Sequence, residues 1–502
     1  TGKHNVAIGQ GSLCKNTIGV SNTVVGDRAL QCNTTGSYNT AVGNNSLRCN
    51  ITGQYNVAIG SCSLFYNTTG NDNIAIGYTT LEDNTTGVKN VGVGNYALSN
   101  NTIGTKNLAL GGYSLNLNTT GISNIAVGYN ALATNTIGQQ NTAVGQDSLR
   151  YNTTGNNNTA IGYESLKANT TGNNNVAIGH AALTLNTVGI NNTAVGFCAL
   201  KSNTTGSNDV ALGLNALKFN TTGHSNVAIG ASALIDNTEG NYNTALGLES
   251  LFKNTTGDGN VAFGYQSLHS SVTANYNVAI GFRAMCATTT GKENVAVGHN
   301  TLFTNTTGAR NAAIGYQALC SNVTGDENVA LGYETMKSNT SGQRNVAVGM
   351  NALRNNTIGQ YNVSVGYDSM YNSTTGECNT AVGNAALFSN TTGIRNTAIG
   401  YESLKANTTG HSNTAVGFKA LEDNTSGQSN TAVGFCAMCN NTTGISNTAV
   451  GVRAGMLNLY GTKNSSLGES ALQNNTVGGH NVAMGYQALV SSAGGAWNTA
   501  VG

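Results

Sequence analysis

A glycine recurs every seventeen residues along the whole chain, with no insertion or deletion. The series starts at Gly9, Gly26 and Gly43 and continues to Gly502. A short unbroken period indicates one structural unit stacked on itself. The sequence therefore predicts an all-β fold, a parallel β-solenoid (β-roll) of seventeen-residue rungs. About 29.5 rungs fill residues 1–502 as a single continuous solenoid, and we expect the chain to be a segment of a longer protein.

Each rung carries one strong strand signal, the five residues that end at the next glycine, as in 39–43. They are rich in β-branched residues and bounded by Asn and Gly. Residues seventeen apart, such as Ala41 and Ala58, are expected to be direct neighbours in parallel strands ~4.8 Å apart. The column that contains Leu47 and Leu64 supplies a matching apolar wall.

Alternation along the strand places Ala41 on one face and Thr40 and Val42 on the other. We expect the β-branched face and the column of Leu47 to be buried, with positions such as Glu164 exposed. The opposite face carries little more than a methyl group in every rung except that of Val24, so it must lie close to something. It meets either the far wall of the same coil or neighbouring chains about a three-fold axis, and we favour the second.

Two asparagine columns follow the repeat, one before the strand and one in the turn Asn33-Thr34-Thr35-Gly36. Stacked amides can form a hydrogen-bonded ladder, and Asn and Gly suit tight turns. The turn also spells the N-glycosylation acceptor motif. The candidate acceptors are Asn33, Asn67, Asn84, Asn152 and Asn203. Turn chemistry alone explains the motif as well, since Asn16-Thr17-Ile18-Gly19 loses the motif and keeps the turn.

Composition narrows the classes of partner. Charged residues make up 9% of the chain, against about 25% in a typical protein, and the net charge is +1. A chain with so little charge is not expected to bind nucleic acid or an anionic membrane surface. No run of about 18 apolar residues is present, so membrane insertion is not expected either.

Catalytic, cofactor and metal sites are not predicted. Gly92-Val93-Gly94 imitates part of a dinucleotide fingerprint but lacks the βαβ context. Asp147 and Glu164 occupy one column of adjacent rungs, but Lys419 stands in the same column, which indicates a variable, solvated position. The histidines fall on scattered rungs, whereas metal ligands must converge. We therefore expect a protein that is not an enzyme.

The ten cysteines are dispersed along the chain. Cys32 and Cys49 are stacked neighbours whose Cα spacing, ~4.8 Å, lies inside the disulfide range of about 4.4–6.8 Å. Cys436 and Cys439 form a lone C-x-x-C without a second pair for zinc. We interpret most of the cysteines as tolerated surface or edge thiols.

The phrase N-[T/V]-A-[V/I]-G, followed by x-x-[S/A], resembles the head repeat of trimeric autotransporter adhesins, the YadA-like head. It also resembles repeats in bacterial and phage tail-fibre-like proteins. The resemblance covers the whole chain, although the adhesin head uses rungs of fourteen residues. It implies a left-handed parallel β-roll, usually trimeric, on an adhesin or fibre.

These observations predict an extracellular or cell-surface structural fibre, or its shaft. Its expected partner is itself, through a lateral trimer, end-to-end stacking or both. One alternative is an adhesin head or phage-type tail fibre that binds a cell-surface receptor or glycan, which clustered aromatic residues would support. A second alternative is an ice-binding solenoid, which needs a regular threonine array that the Val/Thr alternation of the strands interrupts.

Overall fold

The computed structural model describes residues 2–502 and forms two compact units, Thr1–Thr256 and Gly257–Gly502. Each unit is a coil with one three-residue strand per rung, and the described residues contain no helix. The prediction of an all-β parallel β-solenoid with seventeen-residue rungs is confirmed. A single continuous domain and a left-handed coil stay predictions.

The first unit contains strands β1 to β15. They are Val6–Ile8, Thr23–Val25, Thr40–Val42, Val57–Ile59, Ile74–Ile76, Val91–Val93, Leu108–Leu110, Ile125–Val127, Thr142–Val144, Thr159–Ile161, Val176–Ile178, Thr193–Val195, Val210–Leu212, Val227–Ile229 and Thr244–Leu246.

The second unit contains strands β16 to β30. They are Val261–Phe263, Val278–Ile280, Val295–Val297, Ala312–Ile314, Val329–Leu331, Val346–Val348, Val363–Val365, Thr380–Val382, Thr397–Ile399, Thr414–Val416, Thr431–Val433, Thr448–Val450, Ser465–Leu467, Val482–Met484 and Thr499–Val501.

Residues seventeen apart are direct partners in these parallel sheets. In the pairing of β3 with β4, Ala41 lies opposite Ala58 and Val42 opposite Ile59. The same register recurs within the second unit, where Ala279 lies opposite Ala296. The predicted in-register ladder is therefore confirmed within each unit.

The return half of each rung has no strand, yet its backbone also bonds from rung to rung. The Leu47 amide donates to the Ser63 carbonyl at 2.8 Å, and the Asn45 amide donates to the Asp27 carbonyl at 2.9 Å. Positive φ angles accompany this pattern, with 55° at Asn45, 53° at Leu47 and 59° at Tyr38. Non-glycine residues seldom adopt this region, and nothing in the repeat predicted these angles.

The core of nearly every rung is one leucine, or a methionine such as Met285, packed against one small residue. Leu47 and Ala41 have no exposed surface, so the prediction that the leucine column is buried is confirmed. Gly92 identifies what the small residue faces. A Cβ atom placed there would lie 2.7 Å from Cγ2 of Thr80 and 3.6 Å from Cδ1 of Leu81. The middle residue of the strand therefore faces the opposite wall of its own rung.

Two predictions about the strand faces are wrong. Thr40 and Val42 point outward and are only half-buried, whereas Ala41 between them is buried. The interpretation that places neighbouring chains against Ala41 fails for the same reason. Because the rung encloses one leucine, close packing leaves room for little more than a methyl group on the facing wall.

Candidate interaction surfaces

The first and third residues of every strand form a regular stripe along the outside of each unit, here named the outer strand face. Ile59, Ile161 and Ile314 on this face keep 39%, 38% and 45% of their surface exposed. None of the strands β1 to β30 has a charged residue, Asn or Gln at either position. Solvent would tolerate Lys or Glu there, so the lack of charge distinguishes this face from the variable columns of the rung. The sequence already shows that these positions lack charge. Because this face was expected to be buried, the lack of charge did not suggest an interaction surface.

Aromatic rings form runs in the column directly after the anchor glycine. The longest run crosses five rungs of the second unit with ring centroids 5.0–5.3 Å apart. Its members are Tyr265, Phe282, His299, Tyr316 and Tyr333. Their rings are partly exposed at their edges, while the ring faces are occupied by stacking. Clustering of aromatics in one column was the sequence feature that would favour the adhesin alternative.

The predicted asparagine ladders are present in both columns. In the column before the strand, the backbone amide and side-chain amide of Asn39 both donate to Oδ1 of Asn22, at 2.9 and 3.2 Å. In the turn column, Nδ2 of Asn50 donates to Oδ1 of Asn33 at 2.8 Å and to the Gly53 carbonyl at 3.0 Å. These amides have no exposed surface. The ladders therefore stabilise the turn and the start of the strand in every rung.

The candidate glycosylation sites lie in this buried turn column. Their Nδ2 atom, to which a glycan would be attached, bonds the carbonyl of the turn glycine, as Asn67 does to Gly70 at 3.1 Å. A folded rung does not present this nitrogen to a modifying enzyme. All five candidates have no exposed surface, and glycosylation there stays a sequence-based prediction: Asn33, Asn67, Asn84, Asn152 and Asn203.

The threonines of the outer strand face form no array that runs the length of either unit. The first strand position changes from Thr40 to Val57 between neighbouring rungs, whereas the five consecutive strands β23 to β27 all begin with Thr. In the turn, the hydroxyl of the threonine after the asparagine donates to the next rung. Thr68 Oγ1 donates to the Thr85 carbonyl at 3.1 Å. This hydroxyl column is therefore engaged inside the solenoid.

The two acidic residues that occupy one column of adjacent rungs, Asp147 and Glu164, form ion pairs. Asp147 pairs with Arg150 at 3.1 Å, and Glu164 pairs with Lys167 at 2.7 Å. Glu164 is half-buried, so the expectation of an exposed side chain there is only partly met. Asp147 is only 7% exposed, so the expectation of a solvated column is wrong at this rung. Each carboxylate has its own cation within the rung.

All ten cysteines are free thiols. Burial, followed by the proximity of Cys32, raises the pKa of the Cys49 thiol. Histidines such as His180 and His299 stack between aromatic rings of adjacent rungs. Among residues 2–502, no three or more His, Cys, Asp or Glu side chains are grouped to hold a metal ion. No helix in the same range is long and apolar enough to cross a membrane.

Comparison of the chain with protein-family models and with curated proteins gave no match.

Proposed function

We propose that this protein is a structural fibre component, located outside the cell or on its surface, whose solenoid units associate laterally through the outer strand face. The observation that supports this proposal is the complete lack of charge at the two outward positions of every strand. Its mechanism is mechanical. Backbone and asparagine ladders bond each rung to the next, and lateral contact covers the apolar stripe.

Sheet architecture favours a covered face. Parallel sheets occur almost only with both faces buried, and each unit covers only the inner face with its own leucine wall. Fifteen strands at ~4.8 Å spacing, each three residues wide, give the stripe a projected area on the order of 700 Å² per unit. A standard protein interface buries about 800 Å² per partner. The stripe is thus large enough for a specific interface.

A second copy of this chain is the occupant that fits best. Another solenoid of the same rung presents side chains at the same ~4.8 Å interval, so two stripes match along their length. The net charge of +1 produces little repulsion between copies. The number of chains is proposed to be three, by resemblance to the YadA-like head. End-to-end stacking remains a further prediction.

The test places lysines on the outer strand face without touching the core. The variant combines three third-position residues on alternate rungs: Val144→Lys, Ile178→Lys and Leu212→Lys. We expect analytical ultracentrifugation to give a multimer for the native chain and a single-chain mass for the variant. The far-UV circular dichroism should be unchanged, because these side chains point outward.

The matched control places three lysines on the same rungs but in the exposed column that already carries Lys89 and Lys106. It combines Gln140→Lys, Asn174→Lys and Asn208→Lys. This control should keep the native mass. A native chain that stays at single-chain mass at its highest soluble concentration would overturn the proposal, and so would an outer-face variant that still associates.

A second candidate function is receptor or glycan binding by an adhesin or tail fibre, and the aromatic run of the second unit favours it. Its five rings are consecutive and partly exposed, and aromatic side chains such as Tyr are enriched at binding interfaces. A glycan array probed with the native chain should show binding that Tyr316→Asn weakens. Tyr367→Asn is the control, because its neighbours in the column, Met350 and Asn384, are not aromatic. Equal binding by both variants would reject this candidate.

A further inference from the structure

The second and fifth residues after an anchor glycine lie side by side within a rung. On five rungs they carry opposite charges and form an ion pair with nitrogen–oxygen distances from 2.6 to 3.1 Å. The turn of the rung therefore brings these two side chains together wherever they occur. The pairs are Asp147–Arg150, Glu164–Lys167, Glu334–Lys337, Glu402–Lys405 and Lys419–Glu422.

One rung has cysteines at both of these positions, Cys436 and Cys439. The Cys439 amide donates to the Cys436 carbonyl at 3.4 Å. Such a four-residue turn keeps its end Cα atoms within about 7 Å, and a disulfide spans about 4.4–6.8 Å between Cα atoms. The Cys439 thiol donates to Oδ1 of Asn440 at 3.3 Å. The backbone of this turn thus places the two cysteines for a bond between the sulfurs.

We propose that Cys436 and Cys439 form a redox-active dithiol that closes to a disulfide within the rung when a small disulfide such as glutathione disulfide oxidises it. The proposed fibre function does not require a redox-active dithiol. The site is a modification site on a rung of the second unit, and it does not depend on the outer strand face.

Burial distinguishes the roles of the two thiols. Cys436 is partly exposed, whereas Cys439 is 7% exposed. Burial, followed by the proximity of Cys436, raises the pKa of Cys439 to about 12. Cys436 is therefore the sulfur that meets the oxidant. Arg453, which is exposed at the same position of the next rung, favours approach of the carboxylates of glutathione disulfide.

The exchange is balanced in atoms and electrons. The Cys436 thiolate attacks one sulfur of glutathione disulfide, its proton passing to solvent, and one glutathione thiolate leaves. Cys439 then loses its proton and attacks the Cys436 sulfur of the mixed disulfide, which releases the second glutathione. Two protein thiols are oxidised to one disulfide, and glutathione disulfide is reduced to two glutathione molecules.

Cys32 and Cys49 offer a comparison within the same chain. They occupy one column of adjacent rungs, so their side chains point the same way at the ~4.8 Å strand spacing. A disulfide needs a Cβ separation of about 3.8 Å. The backbone of two in-register rungs would have to move to provide it. We therefore expect no disulfide between Cys32 and Cys49 under conditions that join Cys436 to Cys439.

The experiment equilibrates the full chain in glutathione buffers of increasing oxidised fraction. Free thiols are then alkylated with iodoacetamide and the peptides are mapped by mass spectrometry. We expect a Cys436–Cys439 disulfide to form with a single midpoint, while no disulfide joins Cys32 to Cys49. In Cys439→Ser, Cys436 should instead accumulate as a mixed disulfide with glutathione. Cys32→Ser is the control and should leave the midpoint unchanged.

Two results would overturn the proposal. One is full alkylation of Cys436 and Cys439 in the most oxidising buffer. The other is accumulation of the glutathione mixed disulfide at Cys436 in the native chain without closure. Far-UV circular dichroism of each sample verifies that the solenoid is intact. Because the closed loop is short, chain entropy predicts little gain in stability, so the measurement is chemical rather than thermal.

Discussion

The buried leucine of each rung adopts a backbone conformation that restricts which residues can replace it. Leu81 has a φ of 54°, where β-branched and bulky residues are true outliers. The column nevertheless holds leucine almost throughout, with methionine at positions such as Met285 and glycine at Gly455. Valine and isoleucine are absent from it, although they are abundant in the strands. The branch at Cβ, rather than volume or hydrophobicity, accounts for this selection.

Leu81→Ile and Leu81→Met test this interpretation with nearly constant volume. We expect Leu81→Met to cost less than about 1.5 kcal/mol, as volume-conserving substitutions do. Leu81→Ile should cost about 1–3 kcal/mol more, because it holds a β-branched residue in a strained region. Leu81→Ala should cost about 2–5 kcal/mol through the cavity it leaves. Hydrogen exchange of the Leu81 amide measures the local cost. Equal effects of Ile and Met would contradict the argument.

Asp209 is the one acidic residue in the asparagine column that precedes the strands. It has no exposed surface, and Oδ1 accepts hydrogen bonds from the backbone and side-chain amides of Asn226 at 2.8 and 3.2 Å. Burial raises its pKa to about 7, against the opposing effect of the Asn226 hydrogen bonds. A protonated carboxyl at Asp209 also supplies a hydrogen-bond donor at the position where the other rungs have the side-chain amide of asparagine.

Asp209 therefore makes the stability of its rung depend on pH. The folded pKa lies above the unfolded value, so the contribution is complete below about pH 4 and is lost as the pH rises through 7. Asp209→Asn should stabilise the rung at pH 8 by a few kcal/mol, because each pKa unit is worth about 1.4 kcal/mol. The same substitution should have little effect near pH 3.5. Denaturant unfolding at both pH values measures this. An equal effect at both would reject it.

At the scale of the structural element, the asparagine ladder determines where each strand begins. Oδ1 of Asn124 accepts from the backbone amide of Asn141 at 3.0 Å, and Nδ2 of Asn124 donates to the Gly138 carbonyl at 2.9 Å. One side chain thus satisfies groups of two neighbouring rungs. The repeated asparagine allowed this ladder, the strand and its register to be predicted from the sequence alone.

Asn124→Ala should leave the backbone amide of Asn141 without an acceptor inside the rung, whereas the Gly138 carbonyl keeps the side-chain amide of Asn135 at 3.0 Å. An unsatisfied buried group costs about 1–3 kcal/mol. We expect the Asn141 amide to lose most of its protection in hydrogen exchange, while amides three rungs away keep theirs. Asn157→Ala is the control, because Asn157 lies on the surface just before a strand. Protection of Asn141 that survives in Asn124→Ala would refute the role of the ladder.

The faces of the strand could not be predicted in the same way. β-branched residues such as Thr40 and Val42 usually indicate burial, and an alanine column is compatible with either face. Which face of the strand is buried depends on the width of the rung, and the positive φ angles of Asn45 and Leu47 determine that width. Local sequence does not predict positive φ angles at non-glycine residues. The outer strand face was therefore assigned to the core, and its exposure emerged only from the structure.

At the scale of the whole molecule, each unit is a stack in which a rung contacts only its neighbours. Stability in such a stack is roughly a sum of rung terms and nearest-neighbour terms. Residues 158–172 recur as residues 396–410, fourteen periods later, so the same rung sequence occurs in both units. The spacing of seventeen residues, more than the identity of any one rung, is then the property that the fold requires.

Deletion of residues 158–174 removes one full period from the first unit and joins Asn157 to Asn175. We expect the shortened unit to keep its strands, because Asn175 then takes the place of Asn158 above Asn141 in the ladder. Deletion of residues 158–173 removes only sixteen residues and leaves one extra at the junction. A shift of one residue turns every strand side chain to the other face, so this rung must extrude a residue or lose its ladder. Hydrogen exchange measures the protection of the Thr142–Val144 and Val176–Ile178 amides. These amides should stay protected after the first deletion and lose protection locally after the second. Equal protection in both would mean that register does not hold the stack together.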